Sequence, residues 1–152
     1  MKVLFIHQNF PGQFRHLAPA IASLGLEVTA LSMTAKDQRN FNGVRVIPYN
    51  ASRVTSTDIH PWVSDFETKT IRGEACLRAA LELNNAGYQP DIIIAHHGWG
   101  ECLFLKELWP RAKLGIYCEF FYRGSDSDVD FDPEFTPNNV LFDRSRVKLK
   151  NI

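Results

Sequence analysis

The spacing of apolar positions changes twice within the first thirty residues. Lys2 to His7 is a continuous apolar, β-branched run and predicts a strand. Pro11 and Gly12 mark a loop. From Phe14 to Leu24 the residues Phe14, Leu17, Ala18, Ile21, Ala22 and Leu24 recur near helical spacing, which predicts that they face the core. Pro19 falls inside this pattern and either disturbs the helix or belongs to a first turn that starts later. Gly25 ends the helix, and Leu26 to Leu31 is a second apolar strand. Strand, glycine turn, helix and strand form one βαβ unit. In parallel sheets ligands collect where strand carboxyl ends run out into turns, so residues 7–14 and the equivalent later turns are the first places to look for a site.

The same alternation continues. A polar stretch from Thr34 leads to the turn Asn42-Gly43, then to a third strand over Val44–Ile47. Pro61 suits a first helical position, and helical spacing runs from Trp62 to about Asn85. Trp62, Phe66, Leu77 and Leu81 fall on one side, Gly73 is a possible break and Gly87 a stop. Ile92-Ile93-Ile94-Ala95 is a continuous apolar run of the kind buried on both faces. Glu101–Leu108 is a short helix before Pro110, and Leu114–Cys118 a fifth strand. An acidic loop follows from Glu119, and Thr136-Pro137 starts a last helix that reaches the end of the sequence. The alternation predicts one α/β domain over residues 1–152. Its expected architecture is a Rossmann-like parallel sheet in the order 3-2-1-4-5, with helices on both faces.

Composition narrows the function without naming it. Lys plus Arg equals Asp plus Glu at 17 each, so no net charge draws the chain to nucleic acid. No apolar run is long enough to span a bilayer, and no secretory leader is legible after His7. Cys76, Cys102 and Cys118 are odd in number and widely spaced, which points to reduced thiols in a cytoplasmic protein, with Cys118 buried on its strand.

Candidate chemistry sits in three turns. Gly12 permits a close backbone approach, and with Gln13 it could offer N–H and amide groups to a phosphate or sugar oxygen at a helix start. His96 and His97 end the fourth strand. Neighbours there point to opposite sides, so one is expected to face the cleft and the other to pack or cap, and no third ligand completes a metal site. Glu119 follows the fifth strand beside Phe120-Phe121-Tyr122-Arg123, where Phe121 suits sugar stacking and Arg123 an anionic group. Asp126, Asp128, Asp130 and Asp132 fail as an EF-hand loop, because Phe131 and Pro137 hold the places that need Gly and Glu. No G-x-S-x-G is present.

Taken together, the opening Lys2–His7, the loop Gln8-Asn9-Phe10-Pro11-Gly12-Gln13 and Leu24-Gly25-Leu26-Glu27-Val28-Thr29 resemble the amino-terminal domain of family 4 glycosyltransferases of the two-domain GT-B fold. Asp91–His96 is similar to that family's fourth strand. Trp99-Gly100-Glu101, Trp109-Pro110 and Tyr117–Arg123 look like one of its subgroups. The resemblance implies a retaining transfer of sugar from a nucleotide-sugar donor to a sugar or glycolipid acceptor. It implies no cofactor, since the nucleotide-sugar is a substrate. The acceptor would lie on this domain, with possible peripheral membrane contact, and the donor mainly on a second domain. The chain is then expected to be the acceptor half of an enzyme, inactive alone. The family's Glu-x7-Glu spacing also occurs at Glu74 and Glu82, read here as a chance match on a solvated helix. The resemblance favours His96 as the histidine near substrate. Glu119 stands where many members carry a histidine, so that histidine's role does not transfer directly. A stand-alone binding module and a sugar-nucleotide epimerase remain open as other readings.

Overall fold

The computed structural model describes residues 1–35, 37–119, 121–123 and 140–151. The acidic residues 126–132 and the Thr136-Pro137 start lie outside them. Six strands form one sheet: β1 (Lys2–Ile6), β2 (Glu27–Ser32), β3 (Asn40–Phe41), β4 (Val44–Pro48), β5 (Ile92–His96) and β6 (Lys113–Tyr117). Their order is β3-β4-β2-β1-β5-β6. The five strands expected from sequence are all parallel and stand in the expected 3-2-1-4-5 order. β3 is the addition. It pairs antiparallel with β4 through Asn42-Gly43, both at positive φ, as a two-residue hairpin loop requires. A two-residue strand within a polar stretch carries no apolar period to announce it.

Helices cover both faces. The longest, α2 (Ser64–Asn85), packs with the short α3 (Leu105–Leu108) on Leu4, Ile6, Leu31 and Ile93. On the other face Phe14 and Ala18 meet Val3, Phe5, Val28 and Val46. The helix there, α1, covers only Leu17–Ser23, after a 3-10 turn at Gly12–Phe14. Pro19 therefore sits in its first turn, where a missing N–H costs nothing. Leu17 and Leu24 are exposed, contrary to the spacing argument, because the shorter helix starts at Leu17 and turns only its Ala18 side inward.

α2 corrects the sequence reading more fully. Pro61 opens a 3-10 turn, Pro61–Val63, before the helix. Phe66 and Leu81 are exposed, and the buried face is Ile71, Gly73, Ala75, Cys76, Ala79, Ala80 and Leu83. Small residues let the helix lie close to the sheet, and a count of large apolar positions misses them. Gly73 does not break the helix. It is a contact point, since a Cβ there would stand 2.7 Å from the Gly100 carbonyl oxygen and 2.9 Å from the Phe104 ring. Glu74 and Glu82 are exposed on the helix, Glu74 pairing with Arg78. The expected helix from Glu101 begins only at Leu105, with turns before it. Cys118 is exposed rather than buried, because β6 is the edge strand and its outer residues lack a cover among the described residues. The last helix, α4 (Val140–Lys148), runs into a 3-10 turn at Leu149–Asn151 that returns against α2. No described helix is long and apolar enough to cross a membrane.

Glu101 is the one carboxylate in the core among the described residues, 1% exposed, and burial pushes its carboxyl up to about 7 against the opposing pull of its own backbone N–H and of Arg72. Between its ordinary 4.5 and about 7 the folded chain keeps a proton that the unfolded chain has released. Stability therefore falls as pH rises through that window and stays lower above it.

Two outcomes follow for stability. Gly73→Ala forces α2 off the Gly100 turn and lowers the free energy of urea unfolding by about 1–3 kcal/mol. Glu101→Gln removes the loss on the alkaline side, so above neutral pH the variant unfolds at higher urea than the parent, by up to roughly 3 kcal/mol. The two curves converge as the pH falls toward 4.5.

Candidate functional site

The chain adds strands outward from β1 through β2 to β4, then crosses back and adds β5 and β6 on the other side. The switch point lies between β1 and β5, and three parallel carboxyl ends stand side by side there. His7 follows β1, His96 ends β5, and Glu119 lies two residues beyond β6. The His7 and His96 rings meet edge to face with centroids 5.0 Å apart.

A hydrogen-bonded chain joins these ends. The backbone N–H of Asn9 donates to His7 Nδ1 at 2.9 Å. That fixes the tautomer: Nε2 carries the proton and donates to Gln13 Oε1 at 2.6 Å. The amide of Gln13 then turns its Nε2 to Glu119, 3.3 and 3.4 Å from the two carboxylate oxygens. His96 Nε2 donates to Glu119 Oε2 at 3.0 Å. His96 is buried, and its Nδ1 has no partner among the described residues. Burial holds the His7 imidazole below its ordinary pKa and the neighbouring His96 adds to this, while Gln13 and Glu119 pull the other way. A neutral His7 is what the accepting Nδ1 requires.

Gly12 explains the loop. At φ +43° it lies directly on His7, and any Cβ would occupy the space of the imidazole. The turn beneath it is the three-residue 3-10 segment, and α1 begins only at Leu17. The expected helix start behind Gly12 and Gln13 is therefore absent. These two residues position Glu119 from behind.

In front of Glu119 and His96 opens a cleft of about 340 Å³. Asp65, Thr68, Lys69 and Arg72, a polar stripe on α2, form one wall. His96, His97 and Trp99 line it from the end of β5, Glu119 and Tyr122 from the end of β6, and Lys150 closes it. Both histidines reach the cleft, contrary to the expectation of opposite sides, because β5 ends at His96 and His97 already belongs to the turn. Phe121 and Arg123 do not line it. Both are exposed, and Tyr122 between them takes the cleft position. The α2 stripe was legible as polar residues at helical spacing within a half-buried helix, but the large apolar residues drew the reading to another face. No group of three or more metal-ligating side chains is gathered among the described residues.

Chemically the site offers a carboxylate held by two donors, a buried imidazole beside it, an indole and two cations on the facing wall. This suits hydroxyl recognition and proton movement next to an apolar ring surface.

Comparison with known proteins gives the arrangement a family. No curated protein matches the chain. Among solved structures, the C-terminal domain of a hydrogenase from Pyrococcus furiosus is similar over 77% of this chain and 91% of its own, at 15% identity and a TM-score of 0.47. That likeness is too loose to bear on function. The glycosyl transferase family 4 group matches residues 25–152, from the end of α1 through β6 and α4. The chain belongs to the glycosyl transferase family 4 group.

Proposed function

We propose that this chain is the acceptor-binding domain of a retaining glycosyltransferase, and that the cleft before Glu119 receives the acceptor. A role in glycosyl transfer follows from the family. The observation that carries the finer reading is the hydrogen-bonded chain His7–Gln13–Glu119–His96, which ends at the cleft. A carboxylate fixed by Gln13 and His96 holds one orientation, and an acceptor hydroxyl donating to it is held in one position.

In the proposed reaction the bond from the anomeric carbon to the nucleoside diphosphate breaks and the acceptor oxygen bonds to that carbon on the face the diphosphate leaves, so the configuration is retained. The acceptor proton passes to Glu119, and His96 Nε2–H stabilises the carboxylate while it is charged. The diphosphate leaves with the bonding pair. A second domain would hold the donor and close over it, and closure would exclude water from the cleft. The acceptor is a sugar or glycolipid, the donor a nucleotide-sugar, and no cofactor enters.

Two measurements test this. In ligand-observed NMR, a panel of mono- and disaccharides includes members that bind the chain. Glu119→Ala weakens them by about tenfold or more, the loss expected for a hydrogen bond to a charged group. Unchanged binding in Glu119→Ala would remove the cleft from the reading. With a mixed nucleotide-sugar pool and the same sugars, residues 1–152 alone transfer nothing, and sustained turnover would show that no second domain is needed.

A further inference from the structure

The cleft's charges are not evenly compensated. Asp65 pairs with Lys150 at 3.6 Å, and Glu119 is taken by His96 and Gln13. Both carboxylates of the lining are thus engaged within the protein. Arg72 is different. Its guanidinium lies over the Trp99 ring, 5.4 Å from the centroid, and makes no hydrogen bond or ion pair among the described residues. The carboxyl behind it is Glu101, which burial draws toward its neutral form. The imidazole of His97, also on the lining, likewise makes no hydrogen bond among the described residues. One helical step back along α2, the ammonium of Lys69 donates to the Lys150 carbonyl at 2.7 Å. A half-buried guanidinium with open donors, flattened on an indole, is the usual receptor for a planar or tetrahedral oxyanion, which it takes with two parallel N–H bonds.

We infer that Arg72, with His97 on the same cleft lining, forms an oxyanion subsite, and that the acceptor carries a phosphate or a carboxylate there. The inference rests on the acceptor reading above and adds the substrate's charge to it. With Glu119 at one end and Arg72 on the α2 wall, the acceptor is bound at two points. Glu119 takes its reacting hydroxyl and Arg72 its anionic group, so the register of the sugar in the cleft is set before the donor arrives. Trp99 holds the guanidinium flat and gives the sugar ring an apolar surface next to it. Arg123, which the sequence offered for an anion, lies off this cleft, and Arg72 takes the part.

The test is isothermal titration of the full chain with glucose, glucose 6-phosphate, glucuronate and inorganic phosphate, at low and at high salt. At least one charged sugar binds about tenfold more tightly than glucose, and the preference shrinks with salt. Which of the two charged sugars gains more separates phosphate from carboxylate. Arg72→Gln abolishes the preference for charged over neutral sugars, while Arg72→Lys keeps part of it. Near-ultraviolet circular dichroism shows whether each variant remains folded, and the salt response of the parent tests the inference should Arg72→Gln not fold. Equal affinity for charged and neutral sugars overturns the subsite and leaves the acceptor reading standing, provided Glu119→Ala still weakens them. Arg72-dependent binding of inorganic phosphate with no binding of any of the three sugars supports the anion subsite and overturns the acceptor reading. No binding by any of the four overturns both.

Discussion

A parallel sheet whose strand order reverses once must leave a gap in its covering at the reversal, and in this chain the gap falls between β1 and β5. Everything at the site depends on that constraint. It sets the ends of β1, β5 and β6 in a row, so that residues nearly ninety positions apart in sequence, His7 and His96, become ring neighbours. No side chain had to be selected to bring them together. The sheet does so through its backbone ladder, and the side chains then had to be made compatible with being buried there.

Compatibility is reached by a sequence of satisfied donors that starts at the backbone. The Asn9 N–H chooses the tautomer of His7, His7 chooses the amide orientation of Gln13, and Gln13 chooses where the Glu119 carboxylate sits. Each link leaves the next with one favourable state, so the carboxylate faces the cleft already oriented. The chain also explains Gly12 without appeal to any ligand. A residue with a side chain would displace the imidazole and cut the sequence of bonds at its second link.

How much of this the sequence shows depends on how each element earns its place. The parallel strands were legible because Val3–Ile6 and Ile92–Ala95 pack on both faces of the sheet and are therefore apolar throughout. Right-handed crossovers left few orders, and the Rossmann-like 3-2-1-4-5 was chosen over the flavodoxin-like 2-1-3-4-5, as the sheet bears out. The face of α2 was not legible, because it packs through Ala75, Cys76, Ala79 and Ala80, which a search for large apolar residues passes over. For the same reason the polar stripe Asp65, Lys69 and Arg72 was overlooked. Of the residues singled out beforehand, Gly12, Gln13, His96 and Glu119 are brought into one cluster, since all follow strand ends. Phe121 and Arg123 are not, since where the chain points after an edge strand is decided by contacts that local pattern does not encode. His7 was legible as the close of the first strand, placed either to touch a ligand or to satisfy the loop, and it bonds the loop at Asn9 and Gln13.

The wall that faces Glu119 exists because two glycines interlock. A Cβ at Gly73 on α2 would stand 2.7 Å from the Gly100 carbonyl oxygen and 2.9 Å from the Phe104 ring, and Gly100, at φ +96°, sits so close to the Lys69 backbone that no Cβ fits. The helix and the β5 turn are thereby locked at one separation, and Arg72, one residue before Gly73, is carried over Trp99, one residue before Gly100. The same lock buries Glu101, one residue after Gly100, at a cost that the fold tolerates in exchange for closeness elsewhere. A carboxyl so desolvated cannot fully neutralise the Arg72 guanidinium that acts on it, because burial favours its uncharged form. The positive charge on the α2 wall is therefore sustained by the packing of the core behind it, and any change that loosened the two glycines would alter the cleft's shape and its charge together.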